Sequence, residues 1–379
     1  QVAFMAPTEI LSRQHFEKIS PLLKIFSVRI GLLTSSEAKT SDKKISKKEF
    51  NKKIENGEIR IVIGTHSLIQ KNVKFKNLAL VIIDEQHRFG VNQRASLLEY
   101  KKDLPVPHLL SMTATPIPRT LGLTLWGDLD LSFIKEMPQG RKSIVTKIVP
   151  PSKRTMSYEF IKSEVKKGRQ AFVICPLIEE SEKIEVKAAI KEYERLKKEI
   201  FPELKIGLLH GRLKSGEKEK IMADFLKKDI DILVATSVVE VGIDVPNATI
   251  MMIEGADRFG LASLYQFRGR VGRGEHQSYC FLLTDSNSAK TVERLKAIES
   301  AKNGFELAER DLEMRGPGDF IGSRQSGLPD LVVSSLTDSK LVEETREAAK
   351  DLLRRDPQIL QYPLLIKRLE EFRNKMHFE

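Results

Sequence analysis

Thr236-Ser-Val-Val-Glu-Val-Gly-Ile-Asp-Val-Pro246, then Ala256-Asp-Arg-Phe-Gly260, then Gln266-Phe-Arg-Gly-Arg-Val-Gly-Arg-Gly274 is the stretch around which the chain is organised. The apolar run Asp231 to Ala235 feeds it and a second, Ala248 to Ile253, crosses its middle, so the pattern reads as strand, helix, strand, helix. On the last predicted helix Gln266, Arg270 and Arg273 are four and three apart, which puts one amide and two guanidinium groups on one face suited to an oxyanion. Arginines that merely solvate a surface helix are the alternative. Gly269, Gly272 and Gly274 speak against it, because each interior glycine costs a helix about 1 kcal/mol, and they predict a close approach to that backbone.

With 379 residues, 41% of them hydrophobic, the chain suits two or three globular domains. No apolar run reaches membrane-spanning length and no signal peptide is visible, so a soluble chain is expected. It opens at Gln1 directly before the apolar run Val2 to Met5, which reads as part of a longer protein. The formal charge of +11 favours a polyanionic partner without separating nucleic acid from mere solubility. Cys175 and Cys280 fall in predicted buried strands without metal-ligand spacing, so core thiols in a reducing compartment are expected, with neither disulfide nor zinc.

Strand candidates recur at Val2 to Met5, Val28 to Leu33, Ile59 to Gly64, Leu78 to Ile83 and His108 to Met112, with helical patterns between several of them. After the polar stretch Met137 to Ser143 the rhythm restarts at Ile144 to Val149, Gln170 to Cys175, Lys205 to Leu209, Asp231 to Ala235, Ala248 to Ile253 and Tyr279 to Leu283. This alternation predicts an α/β fold with two parallel sheets and a boundary near residue 140. The halves also resemble each other. Gly31-Leu-Leu33, a helix at Lys47 to Asn56, a strand at Ile59 to Ile63 and Thr65 match Gly207-Leu-Leu209, a helix at Lys218 to Lys227, a strand at Ile230 to Val234 and Thr236. The register from Lys47 to Thr65 runs against Lys218 to Thr236 without a gap, as in a duplicated domain. The lysine-rich run Lys39 to Lys53 reads as a solvated helix face.

Ligands of such sheets bind at the carboxyl ends of the strands. There, Leu80-Val-Ile-Ile83 delivers Asp84-Glu85-Gln86-His87. Aspartate at a strand end suits Mg2+, and an adjacent glutamate can orient and deprotonate a water; a polar strand end or helix cap is the plain alternative. His87 is placed to report the phosphate state to the other half. Carboxylates on one half and arginines on the other would make hydrolysis depend on closure. Hydroxyls beside backbone amides follow several strands, at Pro7-Thr8, Thr65 and Thr236. Each could be an ordinary cap, but their equivalent placement suggests a track along a nucleic-acid backbone.

Asp84-Glu-Gln-His with Arg-Phe-Gly following, Met112-Thr-Ala-Thr-Pro-Ile-Pro-Arg119, Val239-Glu-Val-Gly-Ile-Asp244 and Gln266 to Arg273 resemble motifs II, III, V and VI of superfamily 2 helicases. The wording is similar to the RecG family of bacterial branched-DNA helicases over nearly the whole chain. The resemblance implies two RecA-like parallel-sheet domains in tandem, the first truncated at its N-terminus (1–140), the second at 141–288, then a helical hairpin and helical C-terminal segment (289–379). It implies ATP and Mg2+ as cofactors and ATP-dependent work on forks and Holliday junctions. Branched or forked double-stranded DNA is the implied partner, with single-stranded DNA-binding protein as a second. A monomer in the bacterial cytoplasm, at the nucleoid, is implied too. By the same resemblance Asp84 would hold the metal, Glu85 would be the catalytic base, and Arg270 and Arg273 would reach the triphosphate, Arg273 as the finger. Gln266 would sense nucleotide, Gly242 and Asp244 would meet the ribose side, and Thr113 and Thr115 would couple hydrolysis to movement. Pro7, Thr8, Thr65 and Thr236 would lie against DNA phosphates.

Val292 to Ala301 and Phe305 to Met314 read as two helices, followed by Arg315-Gly-Pro-Gly-Asp319 and Gly322-Ser-Arg-Gln-Ser-Gly327. In RecG and the transcription-repair coupling factor a similar segment converts hydrolysis into duplex translocation, which nominates Arg315, Arg324 and Gln325. Ser339 to Phe378 reads as helical. One departure stands out: the family's phosphate loop ending in Gly-Lys-Thr, its base-reading segment and its N-terminal wedge domain are not in these residues. The chain alone is therefore expected to bind ATP weakly and to turn it over negligibly. Three other readings stay open: a coupling-factor translocase, a non-catalytic DNA-binding fragment whose binding weakens steeply with salt, and an RNA helicase.

Overall fold

The computed structural model describes residues 1–86, 89, 106–114, 130–134, 136, 140–176, 182–236, 245–315 and 339–375. The first half builds on β1 (Val2–Met5), β2 (Ile30–Leu33), β3 (Ala38–Thr40), β4 (Ile61–Gly64), β5 (Leu80–Asp84) and β6 (His108–Met112), in the order β3-β2-β4-β1-β5-β6. The second builds on β7 (Val145–Val149), β8 (Gln170–Ile174), β9 (Ile206–Leu209), β10 (Ile232–Ala235), β11 (Ala248–Ile253) and β12 (Tyr279–Leu283), in the order β7-β12-β11-β8-β10-β9. All these pairings are parallel except β2 with β3. Two parallel sheets in tandem, flanked by helices, are the α/β architecture expected.

Strands buried on both faces must read as continuous apolar runs, and β8, β10 and β11 are buried at every position. Between them lie α1 (Glu9–Lys24), α2 (Lys47–Glu55), α3 (Arg154–Lys166), α4 (Glu182–Arg195), α5 (Ser215–Leu226) and α6 (Leu261–Arg268). Beyond the second sheet come α7 (Ala289–Ser300), α8 (Gly304–Arg315), α9 (Ser339–Arg355) and α10 (Pro363–Lys375). None of the described helices is long and apolar enough to cross a membrane.

The duplication is visible in atoms. β2 pairs with β4 through Gly31↔Val62 and Leu33↔Gly64, and β9 pairs with β10 through Gly207↔Leu233 and Leu209↔Ala235, the same register twice. Each Gly-Leu-Leu glycine makes room for a large neighbour: a Cβ on Gly31 would sit 2.5 Å from the Phe50 ring, and one on Gly207 2.8 Å from Ile230. Phe50 is fully buried, so its truncation to alanine costs about 3–5 kcal/mol.

The lysine-rich run is corrected by the structure. Ala38–Thr40 is an antiparallel edge strand and only Lys47–Glu55 is helical. A short charged edge strand protects the sheet from pairing with another chain, and its lysines hide it from a reading tuned to apolar runs.

Candidate functional site

β5 ends at Asp84, and the next residue leaves the strand in the left-handed region, Glu85 having φ 53°. That backbone is costly for a side-chain-bearing residue, and three contacts hold it. The Ala114 amide donates to Glu85 Oε2 at 3.2 Å, and Thr113 Oγ1 donates to the same oxygen at 3.4 Å. The Ser111 hydroxyl donates to Gln86 Oε1. The end of β6 therefore clasps the acidic corner, and Glu85 is buried.

Asp84 is served from a different element. Its Oδ2 lies 2.9 Å from His15 Nε2 on α1, and the His15 ring leans on Phe4 with centroids 4.6 Å apart. The other Asp84 oxygen has no partner among the described residues. Those residues contain no group of three or more His, Cys, Asp or Glu side chains able to hold a metal. A single strand-end carboxylate with an oxygen to spare fits a cation that keeps its waters and shares its other ligands with phosphates.

The arginine segment needs a correction. α6 ends at Arg268 with Gly269 as its C-cap, and Arg270 N and Val271 N bond back to Phe267 O and Arg268 O in a turn. Gln266 lies on the helix but Arg270 and Arg273 lie beyond it, so the three do not share a helical face. Gln266 and Arg270 are buried, whereas Arg273 is exposed, its Nε donating to Gly269 O at 3.2 Å. The glycines serve the turn and its packing. Gly272 has φ +75°, and a Cβ on Gly274 would meet Pro246 O at 2.6 Å, so the backbone that approaches is the chain's own. Arg141, from the polar stretch between the sheets, donates to Gly272 O at 2.9 Å.

The hydroxyls after the strands are mostly turned inward. Thr8 caps α1, its Oγ1 accepting from Leu11 N at 3.2 Å, and Pro7 beside it is half-buried. Thr65 and Thr236, in equivalent places after β4 and β10, are both buried, and Thr65 Oγ1 sits 3.3 Å from Ser67 Oγ. His87, Thr115, Gly242, Asp244, Arg324 and Gln325 lie outside the described residues. Arg315 ends α8, but its side chain also lies outside them.

Several relevant groups carried no sequence signal. Arg13 Nη1 on α1 meets Glu219 Oε1 on α5 at 2.9 Å, and Ile10 packs on the larger core of the second sheet, so the halves touch beside the carboxyl end of β1. Arg268 is buried against Tyr265 and donates to Ile298 O at 2.7 Å, capping α7. Glu254, just past β11, lies 3.7 Å from Arg154 and 3.6 Å from Arg195, and accepts from Tyr158 Oη at 3.3 Å. Burial pushes its carboxyl above the ordinary range and the Glu192 charge adds to this, outweighing both arginines and the tyrosine.

Comparison with known proteins matches residues 1–123 to the DEAD/DEAH box helicase family and 152–275 to the Helicase conserved C-terminal domain. Residues 301–377 match the C-terminal part of domain 3 of the ATP-dependent DNA helicase RecG. A relative named ATP-dependent DNA helicase RecG from Synechocystis sp. is 49% identical over 98% of this chain and 44% of its own. One of the same name from Bacillus subtilis is 49% identical over 94% of this chain and 51% of its own. The chain thus spans about half the length of the curated relatives it matches. A solved RecG bound to a three-way DNA junction superposes with TM-score 0.70 at 44% identity, over 90% of this chain and 43% of that one.

Proposed function

Because the chain belongs to the RecG family of superfamily 2 helicases, we propose that it is the motor portion of an ATP-dependent DNA helicase that translocates on branched or forked double-stranded DNA. Its substrates are forks and Holliday junctions in repair and recombination. The observation that carries this reading is the clasp on Glu85: the carboxylate that would face an attacking water is bonded to Thr113 and Ala114, so a change at the nucleotide pulls on the segment leaving β6.

Asp84 would hold Mg2+, which when bound would supply positive charge to offset that of the triphosphate. Glu85 orients the attacking water and accepts its proton. Arg270 and Arg273 offset charge developing on the transferred phosphoryl group, Gln266 senses the nucleotide, and Gly242 and Asp244 meet its ribose side. His87 reads the phosphate state and Thr115 works with Thr113. An arginine so placed is worth about 10³ to 10⁵ in rate, or about 4 to 7 kcal/mol. Pro7, Thr8, Thr65 and Thr236 follow the DNA backbone through their neighbouring amides, and Arg315, Arg324 and Gln325 extend the track beyond α8. The working units are 1–140, 141–288 and 289–379. The protein works as a monomer in the cytoplasm, at the nucleoid, with single-stranded DNA-binding protein as a second partner.

Residues 1–379 contain no Gly-Lys-Thr phosphate loop, so this chain alone holds ATP weakly and turns it over negligibly. In a version extended to the length of its relatives, forked or four-way DNA stimulates ATP hydrolysis more than single-stranded RNA does. The reverse order would favour an RNA helicase.

A further inference from the structure

The core-facing stripe of α1 runs through Ser12, Phe16, Ile19 and Leu23, the last three packed with Phe4, Ile30, Leu32 and Ile63. His15 lies at the edge of that stripe, three residues from Ser12 and four from Ile19. Its ring is half-buried against Phe4, a position an apolar residue would fill as well. What an apolar residue could not supply is the 2.9 Å contact from Nε2 to Asp84 Oδ2, made across a separation of 69 residues.

We propose that His15 is a positioning residue for Asp84: it engages Oδ2 and fixes the carboxylate so that the other oxygen is presented to the metal of the bound nucleotide. The inference rests on the reading of Asp84 as the metal-binding carboxylate. An ionised carboxylate can only accept, so the contact requires a proton on Nε2, which donates a hydrogen bond to Oδ2. The tilted contact with Phe4, 34° between ring planes, restricts the ring, so the bond is aimed before any ligand arrives. Hydrogen-bond partners of metal-binding side chains typically change metal affinity or activity by about 10- to 100-fold. Nothing in the linear sequence around His15 carries this role; it follows from α1 beginning at the end of β1, whose other neighbour β5 pairs with it through Phe4↔Ile82 and ends at Asp84.

The test measures binding rather than turnover, in the protein extended to the length of its relatives. The affinity for a fluorescent non-hydrolysable ATP analogue is measured with and without Mg2+, and the ratio is the metal-dependent gain. His15→Phe keeps a ring on Phe4 but removes the donor. It should cut the gain about 10-fold or more, leaving metal-free affinity and the melting temperature unchanged. His15→Gln, which restores an N–H donor, should recover most of it. If His15→Phe does not fold, His15→Leu with the same Gln rescue decides the question. An unchanged gain, or equal weakening with and without metal, would overturn the role of His15. Asp84→Asn separates the two layers: it should abolish the gain, and if it does not, the metal-binding reading of Asp84 fails and this proposal with it.

Discussion

Gln1 and Gln170 perform the same task in the two halves. Gln1 Nε2 donates to Ile54 O and Ile59 O at 2.9 and 2.8 Å, and Gln170 Nε2 donates to Phe225 O and Ile230 O at 2.6 and 2.8 Å. Each amide ties the end of a helix to the start of the following strand, satisfying carbonyls that packing hides from water. Gln170 is buried. Gln170→Met, similar in shape but without the donor, should destabilise the second half by about 1–3 kcal/mol, because Ile230 O loses its donor while Phe225 O keeps the Lys228 amide. A shift in the urea midpoint checks this, and an unchanged midpoint would mean that water replaces the amide.

The interlobe pair of Arg13 and Glu219 is open to a double-mutant cycle. Arg13 also binds Glu37 at 2.5 Å within its own half, so Glu219→Ala is the cleaner single change and the cycle isolates the term between the halves. Both side chains are partly solvated, which predicts a coupling of about 0.2–1 kcal/mol that fades at high salt. A label pair across the two sheets, read by energy transfer, should report a wider separation in Glu219→Lys.

Two glycines separate steric need from helix propensity. Gly274→Ala drives a Cβ into Pro246 O and should cost about 1–3 kcal/mol. Gly216, near the start of α5, meets nothing within 4 Å. Gly216→Ala should be neutral or stabilise by up to about 1 kcal/mol. Melting temperatures of the two variants should move in opposite directions or by clearly different amounts.

The strands were legible because parallel strands buried on both faces are written as unbroken apolar runs, and the candidate ends of β1, β6, β11 and β12 coincide with the observed ones. The edge strand Ala38–Thr40 was not, because its three residues include a lysine and a threonine and gain their place from β2 rather than from their own pattern. Spacing alone carried Arg270 and Arg273 onto a helix that Gly269 and Gly272 end in a turn. The acidic pair Asp84-Glu85 could be found from its place after an apolar run. Its partners His15, Thr113 and Ala114 could not be assigned to it from local spacing, since contacts made 28 to 69 residues apart leave no local trace.

Glu254 gives a pH signature. Its carboxyl is pushed up from the ordinary 4.5, foremost by burial, so the folded state binds the proton more tightly than the unfolded chain does. That contribution is fully present below about pH 4.5 and is lost as pH rises through the folded value. The stability of wild type minus that of Glu254→Gln should therefore fall as pH rises above about 4.5. Urea midpoints of both proteins across that range measure the difference, and a difference that rose with pH would mean that Arg154 and Arg195 outweigh burial.

In the proposed function the acidic corner of one sheet and the arginine turn of the other act on one triphosphate. Arg273 tests it most directly, being exposed and outside α6, where its loss disturbs no core. In the protein extended to the length of its relatives, Arg273→Ala should lower DNA-stimulated ATP turnover by about 10³-fold or more, with affinity for forked DNA essentially unchanged. Equal loss of turnover and DNA binding, or turnover close to wild type, would mean that Arg273 does not act on the triphosphate.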